Sequence, residues 1–301
     1  ASVLATVQGF FVVVSLLAVM AAMGTQLTRG DLPRTVREYD LVLRWIATNV
    51  LAVPLFAVLF DVLFGLPEPI RLGMLLVAIA PGAPFIPLLV AIAGEDSGEA
   101  IRLTAALTLV AAIAVPILVT AGLWAFRIEA AFPPLRFLLS LLLVLVAPLV
   151  VGFLVRERRP ASADVLARRL RALGNLSLLL ALVLVVLLDF GGALRVFVTL
   201  FGTGMLLVLV LFVFATLGAG FLVGGTTRRS RRILALGTAG RNVGVALFVA
   251  RGAFPRSGAN ATIVAFAVLM FVLSVLLAVY WRRRRPARIR SPGDEGMPGE
   301  P

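Results

Sequence analysis

The sequence predicts an all-α polytopic membrane protein of about nine spans. Three observations carry that prediction. Apolar residues fill 61% of the 301 positions, where soluble domains hold about 45–50%, and mean hydropathy is +1.07. Apolar runs long enough to cross a ~30 Å hydrocarbon core at ~1.5 Å per residue recur from end to end. The charges fall between those runs or near their ends, with one exception at mid-run, Arg241.

Taken in order, the runs are 3–27, 39–64, 69–93, 99–125, 134–156, 170–190, 195–224, 230–251 and 258–281. The third holds AIAPGAPFIPLLV, in which Pro81, Gly82, Pro84 and Pro87 interrupt the helix pattern. Proline removes a backbone donor and bends a helix; clustered glycines loosen one. The eighth run holds LGTAGRNVG, with Gly237, Gly240 and Gly244 around Arg241. A charge at the centre of a span costs at least ~2.5–3.5 kcal/mol, so such a residue is a functional candidate. The two interrupted runs lie five spans apart and therefore cross in opposite directions. Paired interruptions at matched positions of two halves point to a transporter built from inverted repeats, here four spans and five.

The charge pattern sets the expected orientation. All 28 basic residues are arginine, and net charge is +13. Such a balance in a soluble chain suggests nucleic acid. Here the arginines flank apolar runs and are read as topology signals touching anionic headgroups, with no nucleic-acid partner. One set of ends and loops carries 21 arginines and the opposite set six. The bias puts the N-terminus outside and the C-terminus in the cytoplasm, in a membrane expected to be the bacterial cytoplasmic one. The acidic loop GEDSGE, 94–99, then falls inside; acidic residues weigh little in this rule.

The expected division is 1–156 for the first repeat plus the first span of the second. A basic cytoplasmic linker (RERRPASADVLARRLR spans 156–171) covers 157–169, the rest of the second repeat covers 170–281, and a disordered tail covers 282–301.

The chain has no Cys and no His, which excludes disulfides, thiolate nucleophiles, imidazole bases and Cys/His metal sites. None of the fifteen acidic residues lies at mid-span; Asp61 and Asp189, near outer helix ends, come closest. An enzyme or receptor is therefore disfavoured. No cofactor is expected.

At the interruptions the chain resembles the bile acid:sodium symporter family. TQLTRGDLPR, 25–34, is similar to that family's G-L-x-L-T-x-x-D-F helix ending. APGAP, 80–84, resembles its C-P-G-G-T crossover, and GTAGRN, 237–242, its E-x-G-x-Q-N crossover. The resemblance implies a panel domain beside a core domain in which the two broken helices cross. It also implies organic-anion substrates and, in sodium-coupled members, two sodium sites beside the crossing. Carried over residue by residue, the family's Ser-Asn becomes Ile86 and Pro87, and its two hydroxyl positions become Thr108 and Ala112. Its Glu becomes Gly237 and its Gln Arg241; Asn242 is kept, and an earlier Gln becomes Asn49.

Those replacements remove the oxygens that a hard cation needs, so sodium coupling is not expected. Two roles are open for Arg241. Its guanidinium lies where sodium lies in relatives, as a tethered cation presenting charge to an anion, or it braces carbonyls of the broken helices. Asn49, Thr104, Thr108, Thr238 and Asn242 are expected to form interhelical hydrogen bonds; Pro81, Gly82, Pro84 and Pro87 are expected to shape the break. The expected function is alternating-access transport of a small or amphipathic organic anion. An auxin-efflux-like carrier of the same broken-helix plan is the main alternative. Substrate identity, transport direction and oligomeric state are not legible.

Overall fold

The computed structural model describes residues 3–125, 133–188, 190–254 and 257–284. Every regular element among them is helical. Among the described residues, seven helices are long and apolar enough to cross a membrane: Ala5–Gly24, Tyr39–Phe64, Ser97–Trp124, Pro134–Arg158, Pro160–Leu188, Met205–Val223 and Ala259–Arg283.

The chain opens with α1 (Val3–Gly24), then a short α2 (Asp31–Arg37) and α3 (Tyr39–Ala47). A π-turn, Thr48–Ala52, joins α3 to α4 (Val53–Phe64). Pro54 explains that turn. The Val53 N–H reaches back to the Thr48 carbonyl, and Pro54, next in line, has no N–H for the carbonyl of Asn49. The same device recurs where α8 (Pro134–Leu141) passes through a π-turn, Leu142–Val146, into α9 (Ala147–Arg158) with Pro148 in its first turn.

Between these lie the first interrupted run, α5 (Glu68–Ala78) and α6 (Ile86–Ile92), and the long α7 (Ser97–Ala125). The second interrupted run is α13 (Arg228–Ala239) with α14 (Val243–Ala253), followed by α15 (Ala259–Arg283). At seven to twelve residues each, the half-helices are too short to span alone.

Two segments refine the sequence reading. Residues 157–169 are almost entirely helical and merge with the span that follows: α9 runs to Arg158 and α10 (Pro160–Leu188) starts two residues later. Proline suits a first helical position, and the Ala-, Leu- and Arg-rich stretch behind it favours continuation. The run 195–224 divides into α11 (Phe190–Gly202) and α12 (Met205–Val223). Gly204, at φ 76°, makes the corner in a conformation that glycine adopts without steric cost. The tail from 285 onward and Asp189 lie outside the described residues.

Packing falls into two groups. Helix α1 runs along α9 and α10, with backbones close enough that a Cβ on Gly152 would stand 2.1 Å from the Ala21 carbonyl oxygen. Small residues permit such approaches between helices in lipid. The second group holds α4, α5, α12, α13 and α15. The acidic loop 94–99 is explained by its neighbours. Arg229 pairs with Asp96 at 2.6 Å and Glu99 at 2.8 Å, and Arg232 with Glu95 at 3.0 Å. Pairs such as these join residues that the arginine count assigns to one membrane side.

Orientation itself has a direct test. In intact cells, a membrane-impermeant thiol reagent is expected to label Ala193→Cys and to miss Ser162→Cys, with no native cysteine to confuse the reading. The reverse pattern would invert the topology.

Candidate functional site

The breaks of the two interrupted helices meet. Pro81 and Arg241 form an isolated antiparallel bridge. Around it, Asn242 N–H donates to the Ala80 carbonyl at 2.7 Å and Ala83 N–H to that of Gly240 at 3.4 Å. Asn242 does two further jobs. Its Nδ2 donates to the Gly82 carbonyl at 3.3 Å, and its Oδ1 accepts from Val245 N–H at 3.1 Å, capping α14. Asn242 thus stitches one break to the other while starting the next half-helix.

Arg241 is fully buried. Its Nε donates to the Val77 carbonyl at 3.1 Å. Its Nη1 donates to Asn49 Oδ1 at 2.7 Å and to the Thr238 carbonyl at 3.4 Å. Its Nη2 donates to the Asn49 carbonyl at 3.4 Å and to the Ala78 carbonyl. A guanidinium has five N–H donors, and here five oxygens accept them. No N–H remains for a substrate anion in this conformation. Of the two roles open from the sequence, this is the bracing geometry.

The acceptors are short of helical partners for a reason; the Val77 carbonyl takes, besides Arg241, the Ala80 N–H of the tightened last turn, at 3.2 Å. A helix leaves its last four carbonyls unpaired; Val77 and Ala78 end α5, and Pro81, four residues beyond Val77, has no N–H to offer. The Asn49 carbonyl is the one that Pro54 fails to satisfy across the π-turn. Thr238 lies at the end of α13. The cation therefore sits at the negative ends of two helix dipoles, where positive charge is favoured. No acidic side chain is among its partners.

Thr238 and Asn49 are fixed together. Thr238 Oγ1 accepts from Trp45 Nε1 at 3.0 Å and from Asn49 Nδ2 at 3.3 Å. Trp45 is a component the sequence reading missed. It lies one helical turn before Asn49, so the i, i+4 spacing placed both on one face. Gly237 has no side chain because the Trp45 ring occupies that space: a Cβ there would stand 2.7 Å from Cζ2. Gly240 likewise makes room for Ile86, at 2.6 Å from Cγ1.

The remaining candidates surround the first break without reaching the guanidinium. Gly82, at φ 83°, would place a Cβ 3.0 Å from Thr108 Oγ1, and that hydroxyl donates to the Thr104 carbonyl at 2.9 Å. Thr104 Oγ1 is buried without a partner among the described residues. Pro84 and Pro87 face a narrow crevice toward α1 and α10, beside Gln26 and Arg171. Ala112 is fully buried and, like Ile86, offers a cation no oxygen from its side chain.

The sequence model of the sodium bile acid symporter family matches residues 13–200. The chain belongs to this family. The matched stretch runs from α1 into α11 and includes the first break; the second break, with Arg241, lies beyond it and is tied to the first by the bridge and hydrogen bonds above. A comparison with curated proteins finds no match. As a member of the sodium bile acid symporter family, the chain is an integral membrane protein of transporter type.

Proposed function

We propose that the protein is a secondary transporter that moves a small or amphipathic organic anion by alternating access, without sodium. The observation that carries this is the saturated guanidinium between the helix breaks. In the reading by resemblance, sodium-coupled relatives hold their cation at the corresponding crossing. Here a covalently attached cation satisfies the same kind of carbonyl ends and never leaves. The seven long helices and two interrupted pairs fit a nine-span, 4+5 inverted-repeat plan. In that plan α1, α8, α9 and α10 serve as the panel and the interrupted pairs with their neighbours serve as the core. Movement of one group against the other would expose the substrate alternately to each side, while Arg241 keeps the crossing intact.

The test is sodium itself. For protein reconstituted in liposomes, replacing sodium with potassium is expected to change uptake and binding of taurocholate, or of smaller aryl carboxylates, by well under tenfold, or ~1.4 kcal/mol. A steep, saturable dependence on sodium over potassium would show that backbone oxygens still bind the ion. No uptake of any organic anion in either salt would refute transport.

A further inference from the structure

The basic ends of α9 and α10 enclose a groove of about 970 Å³. The packing of the two helices on α1 explains it. Gly152 of α9 and Gly174 of α10 are held against α1, where a Cβ on Gly174 would stand 2.5 Å from Val19 Cγ1. Ala163 and Ala167, buried on α10, share that stripe by their spacing. A different stripe of each helix is left uncovered. Val151, Leu154 and Arg158 follow one another at three- and four-residue spacing on α9, and Ser162, Val165 and Arg169 repeat the pattern on α10. These two stripes line the groove.

Its chemistry is divided. Val151, Leu154 and Val165 give it an apolar floor and are all exposed. Arg158, Arg159 and Arg169 are exposed cations on the same groove, and no acidic side chain is among the described residues that line it. The two carboxylates nearest in sequence are used elsewhere: Glu157 pairs with Arg29, and Asp164 with Arg156 at 2.5 Å. None of the three groove arginines has an ion-pair partner among the described residues. The Arg156–Asp164 pair also sets the register of the hairpin and brings Arg158 level with Ser162. Arg158 and Arg169 then lie about 10 Å apart along the groove, with Leu154 and Val165 between them. Two long side chains can close on one anion from both ends, over an apolar floor.

We propose that this groove is a binding site for an anionic phospholipid. Arg158, Arg159 and Arg169 hold the phosphodiester, whose oxygens suit the guanidinium fork. The glycerol esters and the start of the acyl chains cover Leu154, Val165 and Val151. A lipid is the occupant that fits, because the groove turns away from α1 at the level where the apolar run of α9 gives way to arginine, the depth of headgroups. Basic pockets between helices at that depth select anionic headgroups. The arginine count assigns this end to the cytoplasmic side, whose leaflet carries anionic lipid. Helices α9 and α10 each pack chiefly on α1, so a lipid lying between them completes the hairpin and stabilises it. The site is apart from the crossing at Arg241 and does not depend on the transport reading.

The experiment uses the full chain in detergent micelles. The probes are phosphatidylglycerol and phosphatidylcholine with identical acyl chains; native mass spectrometry counts bound lipid, and melting temperature reports stability. The native protein is expected to retain phosphatidylglycerol about tenfold over phosphatidylcholine and to melt higher in its presence. Combining Arg158→Gln, Arg159→Gln and Arg169→Gln should bring that preference below about twofold. Removing as much charge elsewhere on the same side, by Arg34→Gln, Arg37→Gln and Arg228→Gln, should leave the preference intact. An equal loss there would reduce the effect to net charge and overturn the site. Val165→Trp fills the groove and spares every cation, so it should weaken phosphatidylglycerol retention at least about threefold. Unchanged retention in that variant would show that the lipid binds elsewhere, a second way to overturn the site, and one that stands even if the arginine variant folds poorly. Glycerol phosphate, the headgroup chemistry without chains, should not displace the lipid. Displacement at equal concentration would make this a site for a free phosphate ester and sink the lipid assignment. So would a native protein that retains both lipids equally.

Discussion

Arg241→Gln is expected to lower stability by roughly 3 kcal/mol and to create a response to sodium that the native protein is expected to lack. By the resemblance of GTAGRN to the family's E-x-G-x-Q-N crossover, glutamine is the residue expected at this position, but its amide carries two N–H donors where the guanidinium uses five. At least three of the five oxygens are therefore released: those of Val77, Ala78, Thr238 and the two of Asn49 supply the set. Each orphaned acceptor costs about 1–3 kcal/mol, reduced where water enters. The released oxygens are hard donors gathered in one place at two helix C-termini, the setting a small cation requires. Sodium chloride should then raise the melting temperature of the variant and leave the native protein unmoved; potassium or choline chloride should do less. Arg241→Lys is expected to fall between, because an ammonium concentrates its donors at one point and cannot fork across carbonyls from three helices. Anion affinity of the folded variant should change by less than ~1.4 kcal/mol, since no N–H of Arg241 faces a ligand. Melting temperature and affinity measured on the same preparation decide the matter. A large affinity loss at native stability would mean that substrate reaches the guanidinium after all.

Gly237→Glu is expected to be more damaging still, although it rebuilds the family's carboxylate. The first atom of the new side chain would stand 2.7 Å from Trp45 Cζ2, and Trp45 is 1% exposed with its indole N–H committed to Thr238. The ring has nowhere to move. Overpacking of this kind costs about 1–3 kcal/mol, and the carboxylate adds the desolvation of a buried charge. Removing the obstacle should rescue it: Trp45→Ala with Gly237→Glu is expected to be more stable than the sum of the single changes allows, a coupling that a double-mutant cycle measures. Adding Arg241→Gln to that pair would supply carboxylate and vacancy together, and sodium should stabilise the triple variant most. If Gly237→Glu alone melts with the native protein, then Trp45 yields and the argument for its space-filling role is wrong.

The position of Trp45 marks the boundary between what sequence could and could not disclose. Membrane insertion, the apolar runs, the arginine asymmetry and both interruptions are properties of consecutive residues, read from composition, length and the backbone chemistry of proline and glycine. They placed Arg241 in a broken run and flagged it as functional. Even the π-turn before α4 has a local cause in Pro54, although its consequence does not: the freed Asn49 carbonyl meets Arg241 across 192 positions of sequence. The corner at Gly204 went the other way, because a single left-handed glycine is silent inside an apolar run.

By itself, then, the sequence determined that this protein lives in a membrane, that two of its runs are broken, and that a cation lies in one of them. Only the tertiary structure shows which oxygens that cation meets. The partners of the Arg241 guanidinium are mostly backbone carbonyls, which every residue carries and no sequence distinguishes. Whether they are free depends on where helices end and which breaks face each other.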